Sequence, residues 1–168
     1  LWQNHYADLN EWGAVADKYT RSEDGQAAQA RFDEIIDCTV ALNTRHEMFN
    51  GGGEVGGNPP VTISVSSCSL KHGRTMDADV TDFVTHLRGT LASMDEYKSF
   101  LGYMMVPMVS PGDVDLRFIG VYNSMSDYAA ATTALRSSEE GQMLGRHFNT
   151  VFDCNSSLWA GERIIIND

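Results

Sequence analysis

Histidine and tyrosine are the residues of this chain that best suit acid–base chemistry. His147 lies three residues after Leu144 and one before Phe148, on or beside the apolar face of a predicted helix. Imidazole titrates near neutral pH, and a phenol such as that of Tyr122 can donate to a developing oxyanion. His147 and Tyr122 are therefore the candidate catalytic residues. The alternative for His147 is a structural histidine that is satisfied by a backbone carbonyl.

A second group of residues could line a small-molecule pocket. Tyr122 shares a predicted strand face with Gly120, and Trp159 shares another with Gly161 and Arg163. Aromatic rings beside glycines can form the floor of a pocket, although packing between sheets explains them equally well. The hydroxyl groups of Ser64 and Ser66 share one strand face and would tolerate a polar ligand. Arg31, which corresponds to His147 at the opposite end of the chain, would do the same. The candidate ligand-binding residues are thus Trp159, Ser64, Ser66, Arg163 and Arg31.

Neither a metal site nor a cofactor is predicted. His5, His46 and His72 lack the i, i+4 pairing typical of metal ligands, and no serine lies in a nucleophile elbow. The three cysteines show no CxxC spacing, so neither a zinc site nor a disulfide framework is indicated. The Gly-rich segment lacks the GK[ST] ending of a phosphate loop.

The first fifty residues resemble the C-terminal end of the same chain. A shift of 116 residues places Cys38 on Cys154 and Gly25 on Gly141 without a gap. About ten identities fall in this alignment, more than unrelated segments would give. The two cysteines therefore occupy equivalent positions, which favours a shared structural role over a bridge.

Hydrophobic periodicity and turn signals predict the order of elements. Val61, Ile63 and Val65 alternate with small polar residues, which is typical of a half-buried strand. An amphipathic helix, a two-stranded hairpin, a helix broken near residues 137–141 and a closing strand follow, giving β-α-β-β-α-β over residues 61–168. Residues 1–50 repeat only the last part of this pattern, as strand, helices and strand. The predicted domains are a partial repeat (1–50), a Gly/Pro linker (51–60) and a complete module (61–168).

This order of elements resembles the ferredoxin-like module of the dimeric α/β-barrel superfamily. The most similar stretch runs from Tyr122 through Ser138 to Trp159. The resemblance implies an α+β fold in which an antiparallel sheet carries helices on one face. It also implies that the other face packs on a second sheet to form a barrel. The superfamily includes cofactor-free monooxygenases of polyketide-type aromatics, small isomerases and haem enzymes, so the fold alone assigns no reaction.

Composition limits the partners of this protein. A formal net charge of −11 argues against nucleic acid and anionic membranes, and no stretch is apolar enough to span a bilayer. The cysteine pattern and the absence of a signal peptide predict a cytoplasmic, reducing environment. Because the first repeat lacks part of its sheet, we expect either an upstream segment or a homo-oligomer that covers its edges.

Two functions from different classes remain. The first is binding of a small apolar or aromatic molecule without an assignable reaction. The alternative is a cofactor-independent monooxygenase or isomerase acting on a small aromatic or polyketide-like substrate, with His147 and Tyr122 as acid and base. Haem binding is a third possibility. Whether the protein is an enzyme stays open at the level of sequence.

Overall fold

The computed structural model describes residues 4–35, 42–56, 60–109 and 114–162. The chain divides into two compact units, Leu1–Thr39 and Val40–Asp168.

The first unit contains two consecutive helices, α1 (Leu9–Arg21) and α2 (Glu23–Asp33). The Asp8 carboxylate accepts hydrogen bonds from two backbone N–H groups of the first turn of α1, at 2.8 and 2.9 Å. Ser22 ends α1 and also caps α2, because its Oγ accepts a hydrogen bond from the Gly25 N–H at 3.0 Å. Side-chain acceptors thus satisfy the backbone donors that a helix start leaves free. Of the strand predicted near residues 1–6, residues 4–6 are not extended in a sheet, and the rest lies outside the described residues.

The second unit is built on a five-stranded antiparallel sheet with three helices. Its elements are β1 (Leu42–Asn50), β2 (Val61–Leu70), α3 (Thr81–Ala92), β3 (Phe100–Val109), β4 (Leu116–Tyr122), α4 (Met125–Ser137), α5 (Glu139–Val151) and β5 (Phe152–Gly161). A π-helical turn, Met76–Val80, leads into α3. The strand order is β1-β3-β4-β2-β5. Without β1 this is the ferredoxin-like βαββαβ arrangement, so the predicted α+β fold class is confirmed.

Helices α4 and α5 share the local structure of α1 and α2. Ser138 corresponds to Ser22 at the predicted shift of 116 residues, and its Oγ likewise accepts from the backbone N–H three residues later, at 3.0 Å. Gln26 and Gln142 also correspond. Each donates from its side-chain amide to the carbonyl oxygen six residues earlier, at 2.9 and 3.3 Å. The two helix–break–helix segments therefore share these local hydrogen bonds.

Strand β1 extends the sheet of the complete module. It pairs antiparallel with β3, from Leu42 opposite Val109 to Asn50 opposite Leu101. Strand β1 therefore lies in the second unit, Val40–Asp168. Strand β1 pairs with β3 although the two strands are far apart in sequence. Without β1, β3 would be an edge strand with a row of free backbone donors and acceptors.

The Gly-rich segment that follows β1 is fastened to neighbouring loops. Gly51 and Gly53 donate backbone N–H groups to the carbonyl oxygens of Phe100 and Lys98, at 3.0 and 2.8 Å. The Asn123 side chain accepts from the Gly56 N–H at 2.9 Å and donates to the carbonyl oxygen of Glu54 at 2.9 Å. The described part of the predicted linker is thus held by hydrogen bonds to β3 and to the loops beside it.

One face of the sheet packs against the helices and holds the main core. Cys68 and Leu116 of the sheet are fully buried against Phe83 of α3 and Val151 of α5. A second apolar cluster lies between β3, β4 and α4, where Ala131 is fully buried. Burial of this apolar surface is the main source of stability for the unit.

The opposite face of the sheet carries a smaller apolar cluster. Val65, Tyr103 and Ile119 are buried there, as the alternation of side chains along each strand requires. The guanidinium carbon of Arg45 lies 4.7 Å from the centre of the Tyr103 ring, which is a cation–π contact.

Cys68 and Cys154 form a disulfide, which corrects the prediction that the cysteines form no bridge. The two residues are directly opposite each other on β2 and β5, with a Cα–Cα distance of 4.1 Å. The register of two strands that are 86 residues apart in sequence creates this pair. Because disulfides persist mainly in oxidising environments, the argument from cysteines to a reducing compartment loses its premise.

The described α-helices are all short, at 11 to 13 residues. Within the described ranges, none combines the length and apolar composition that crossing a membrane requires.

Candidate functional site

A cavity of about 230 Å³ lies between helix α3 and the edge of the sheet formed by β1 and β3. Residues of α3 spaced three or four apart face it, since this spacing places side chains on one side of a helix. The lining residues are His46, Glu47, Met48, Met76, Val80, Thr81, Val84, Thr85, Arg88 and Met104. All of them belong to the second unit.

Three methionines form the adaptable part of the cavity wall. Met48 is buried, and Met76 and Met104 pack against the main core. Val80 and Val84 add a more rigid branched surface. Unbranched thioether side chains adjust to ligands of different shape, so this wall suits a small apolar molecule.

Arg88 fixes strand β1 to helix α3 at the cavity. Met48 is the extra residue of a bulge in β1, since the register shifts between Glu47 and Phe49. The Arg88 guanidinium donates to the carbonyl oxygen of Met48 and, at 2.8 Å, to that of Glu47. The bulge thus presents two carbonyl oxygens to one cation, and His46, Glu47 and Arg88 supply charged or titratable groups to the lining.

His147 lies on α5, away from this cavity. Its ring makes an edge contact with Phe83, with ring centres 5.7 Å apart at an angle of 77°. Its Nδ1 lies 3.2 Å from Nδ1 of His86 on α3. The side chain is 23% exposed, so it is accessible from solvent but borders the core.

Tyr122 lies in a different cluster from His147. It is buried, and its ring packs against Phe100 and Tyr128, with centres 4.8 and 5.3 Å away. Burial raises the pKa of the Tyr122 phenol far above its usual value, although a hydrogen bond with Ser64 opposes the shift. Tyr122 is therefore a neutral donor at physiological pH. The His147 ring contacts Phe83 and His86, whereas the Tyr122 ring contacts Phe100 and Tyr128, so the joint role of the pair stays a prediction.

Phe100 fills the space beside Tyr122 that the glycine in β4 leaves open. A Cβ built at Gly120 would lie 2.8 Å from the Phe100 ring and 2.6 Å from the Ser64 hydroxyl oxygen. A glycine in a strand marks a close approach by another group, and here that group is a core side chain.

The other predicted ligand-binding residues of the sheet do not converge on one point. The Ser64 hydroxyl donates to the carbonyl oxygen of Gly120 at 3.4 Å, and Ser66 pairs with Ser156 at 2.8 Å. Trp159 lies on the opposite face of the sheet, is 48% exposed, and donates its indole N–H to Ser157 at 2.9 Å. Their ligand-binding role remains a prediction.

Two arginines complete the set of predicted ligand-binding residues. Arg163 lies outside the described residues. Arg31 is an exposed residue of α2 in the first unit.

The sequence analysis missed two residues next to His147. Asp82 and His86 are one helical turn apart on α3, and Asp82 Oδ2 lies 3.6 Å from His147 Nε2. The available signal was the i, i+4 spacing of a carboxylate and an imidazole. The prediction of no metal site rested on the spacing of histidines and included no carboxylate partner.

A second, more open cleft of about 520 Å³ lies near the end of α3. Its lining is mostly short polar and acidic side chains, with Met94 and Ala134 as the apolar members. It lacks the apolar wall that retains a small molecule.

Comparison with known proteins shows that the chain is similar in fold to solved structures. No protein-family model and no curated protein match the chain. A crystal structure of a "putative monooxygenase" from Lactobacillus acidophilus has a TM-score of 0.51 at 10% identity, over 92% of this chain and 70% of that one. A dimeric ferredoxin-like protein of unknown function from Bacteroides fragilis has a TM-score of 0.42 at 6% identity, over 61% of this chain and 97% of that one.

Proposed function

We propose that this protein binds a small apolar or aromatic molecule in the cavity between α3 and the β1–β3 edge. The observation that supports this is the apolar wall of Met48, Met104 and Val84 beside the polar groups of His46 and Arg88. Binding sites for small molecules commonly combine a mainly apolar lining with a few polar groups that orient the ligand.

The volume of the cavity limits the ligand. At about 230 Å³ it is smaller than the sites of about 300–1,000 Å³ that hold drug-sized molecules. A single ring, or two small fused rings, is the class that fits. A hydroxyl or carbonyl group on the ring would be recognised by His46 or by the Arg88 guanidinium.

The alternative function is that of a cofactor-independent monooxygenase or isomerase. Its support is the similarity in fold to the Lactobacillus protein and the presence of titratable residues on the helical side of the sheet. In this alternative Tyr122 acts as a neutral hydrogen-bond donor, because burial keeps its phenol protonated. His147 would be the base, reached from the solvent side of α5.

We also propose that the chain self-associates through the first unit. Leu9, Trp12, Val15 and Tyr19 recur every three or four residues on α1 and are 37–51% exposed. In α4 the corresponding residues Tyr128, Ala131 and Leu135 pack in the core. The analogous stripe of α1 is therefore suited to burial against a second copy of the chain.

A thermal-shift experiment tests the binding proposal. Phenol and indole, added at increasing concentration, should raise the melting temperature of the wild-type protein, since a ligand that binds only the folded state stabilises it. Val84→Phe places a ring into the cavity and should remove this shift. Val109→Phe makes the same change at a valine that is 65% exposed and does not line the cavity, so it should keep the shift. Equal shifts in the two variants would contradict the assignment of the cavity.

A further inference from the structure

Three potential metal ligands meet where helices α3 and α5 lie side by side. Asp82 and His86 project from successive turns of α3, and His147 comes from α5. One donor atom from each residue lies within 4.8 Å of the other two. This cluster is separate from the cavity, whose lining contains none of the three residues.

The distance between the two imidazole nitrogens fits a shared transition-metal ion, whereas the Asp82 carboxylate has to move closer to them. His86 Nδ1 and His147 Nδ1 are 3.2 Å apart, and Asp82 Oδ2 lies 3.9 Å from His86 Nδ1. In a tetrahedral site with metal–nitrogen bonds of about 2.0–2.1 Å, neighbouring donor atoms are about 3.3 Å apart. The two imidazole nitrogens therefore have nearly the separation that a shared ion requires.

The surroundings hold one ligand in place and leave two free to adjust. Phe83, which is 4% exposed, packs its ring against His147 and fixes it at the edge of the core. Asp82 and His86 have side chains that are about 60% exposed, so each can rotate to direct one donor atom at a common point. A metal on the solvent side of His147 would thus meet a partly preorganised site.

We propose that Asp82, His86 and His147 form a binding site for a divalent transition-metal ion such as Zn²⁺. Two imidazoles and one carboxylate are a typical donor set for Zn²⁺, Ni²⁺ and Co²⁺. Three protein ligands leave at least one coordination position for water or for a donor from another molecule. The ion joins α3 to α5 and so adds stability to the folded state.

Zn²⁺ titration by isothermal calorimetry tests this site. The chain is used without an affinity tag, treated with EDTA and dialysed, and any thiol outside a disulfide is blocked with iodoacetamide. The wild-type protein should bind a single equivalent of Zn²⁺. Its melting temperature should rise by about 5–11 °C when the Zn²⁺ concentration is about 100 times Kd.

His86→Ala is the decisive variant, because His86 is exposed and its loss leaves the core intact. We expect it to weaken Zn²⁺ binding by about tenfold or more and to remove the thermal shift. Asp82→Asn should also weaken binding, and His147→Ala should do so in protein whose circular dichroism shows a native fold. His72→Ala, at an exposed turn outside the cluster, is the matched control and should bind as the wild type does.

Three results would overturn the proposal. They are the absence of Zn²⁺ binding in the wild type, unchanged binding in His86→Ala, and an equal loss of binding in His72→Ala. The last two would mean that zinc binds elsewhere on this acidic protein.

Discussion

Gly25 and Gly141 occupy corresponding positions in two similar helix–break–helix segments, and each lies against the backbone of the preceding helix. A Cβ built at Gly25 would lie 1.9 Å from the carbonyl oxygen of Tyr19. At Gly141 it would lie 1.8 Å from that of Leu135. Heavy atoms that are not bonded cannot approach so closely, so only glycine allows α5 to pack at this angle to α4.

Gly141→Ala is therefore expected to destabilise the second unit. The methyl group has to displace backbone rather than a flexible side chain, and we expect a loss of about 2–3 kcal/mol in the free energy of unfolding. Gly145→Ala is the matched control, because a Cβ at Gly145 meets nothing within 4 Å. It should stabilise helix α5 by about 0.5–1 kcal/mol. Urea denaturation of the two variants measures both values, and a destabilisation of similar size in each would contradict the steric explanation.

Alkaline pH should weaken the fold through its buried tyrosines. Burial raises the pKa of Tyr97 to about 12, and its hydroxyl donates to the carbonyl oxygen of Ala131 at 3.2 Å. The unfolded chain loses this proton near pH 10, whereas the folded chain keeps it to about pH 12. The stability that the neutral phenol contributes is thus present below pH 10 and is lost as the pH rises towards 12.

Tyr97→Phe tests the origin of that loss. The free energy of unfolding, measured by urea denaturation between about pH 9 and pH 11.5, should fall less steeply with pH in the variant than in the wild type. At neutral pH the variant should be less stable by about 1 kcal/mol, because one hydrogen bond is lost. Parallel pH profiles would show that the Tyr97 proton is not responsible.

Reduction of the Cys68–Cys154 disulfide should destabilise the protein. The bridge closes a loop whose ends are 86 residues apart in sequence. It therefore restricts the unfolded chain and should contribute about 2–5 kcal/mol. Guanidinium denaturation with and without a phosphine reductant measures this difference. Cys38→Ser keeps both bridge-forming cysteines and should lose as much on reduction as the wild type. An unchanged midpoint on reduction would mean that the bridge is absent in solution.

Self-association through α1 should depend on its apolar stripe. Trp12→Glu places a charge in the middle of the stripe, so it should convert an oligomer to a monomer in light scattering. Met125→Glu is the control. Met125 is 55% exposed on α4 and lies at the position that corresponds to Leu9. A wild-type chain that is monomeric at high concentration would contradict the proposal.

Local features of the sequence predicted much of the fold. The helix break near residues 137–141 was predicted from local signals, and in the structure Ser138 caps the helix that follows this break. The alternation from Val61 to Val65 likewise gave the faces of β2. These features depend only on residues that are close together in the sequence.

Pairings between segments that are far apart in the sequence could not be predicted from local features. The predictions placed β1 in a separate sheet and Cys68 outside any bridge, because both depend on which strands become neighbours. The cavity has the same origin, since it forms where a bulge at Met48 meets Arg88 of α3. The strand pairing, the disulfide and the cavity each depend on two or more segments of the chain. The candidate site therefore could not be located from the sequence alone.

Methyl NMR of protein labelled with ¹³C at the methionine methyl groups tests the proposed binding cavity most directly. Met48, Met76 and Met104 line the cavity, whereas Met125 and Met143 are more than half exposed elsewhere. Addition of phenol or indole should shift the first three methyl signals in a saturable way and leave the other two unchanged. A response confined to Met94, which lines the more open cleft, or no saturable response at all, would contradict the account.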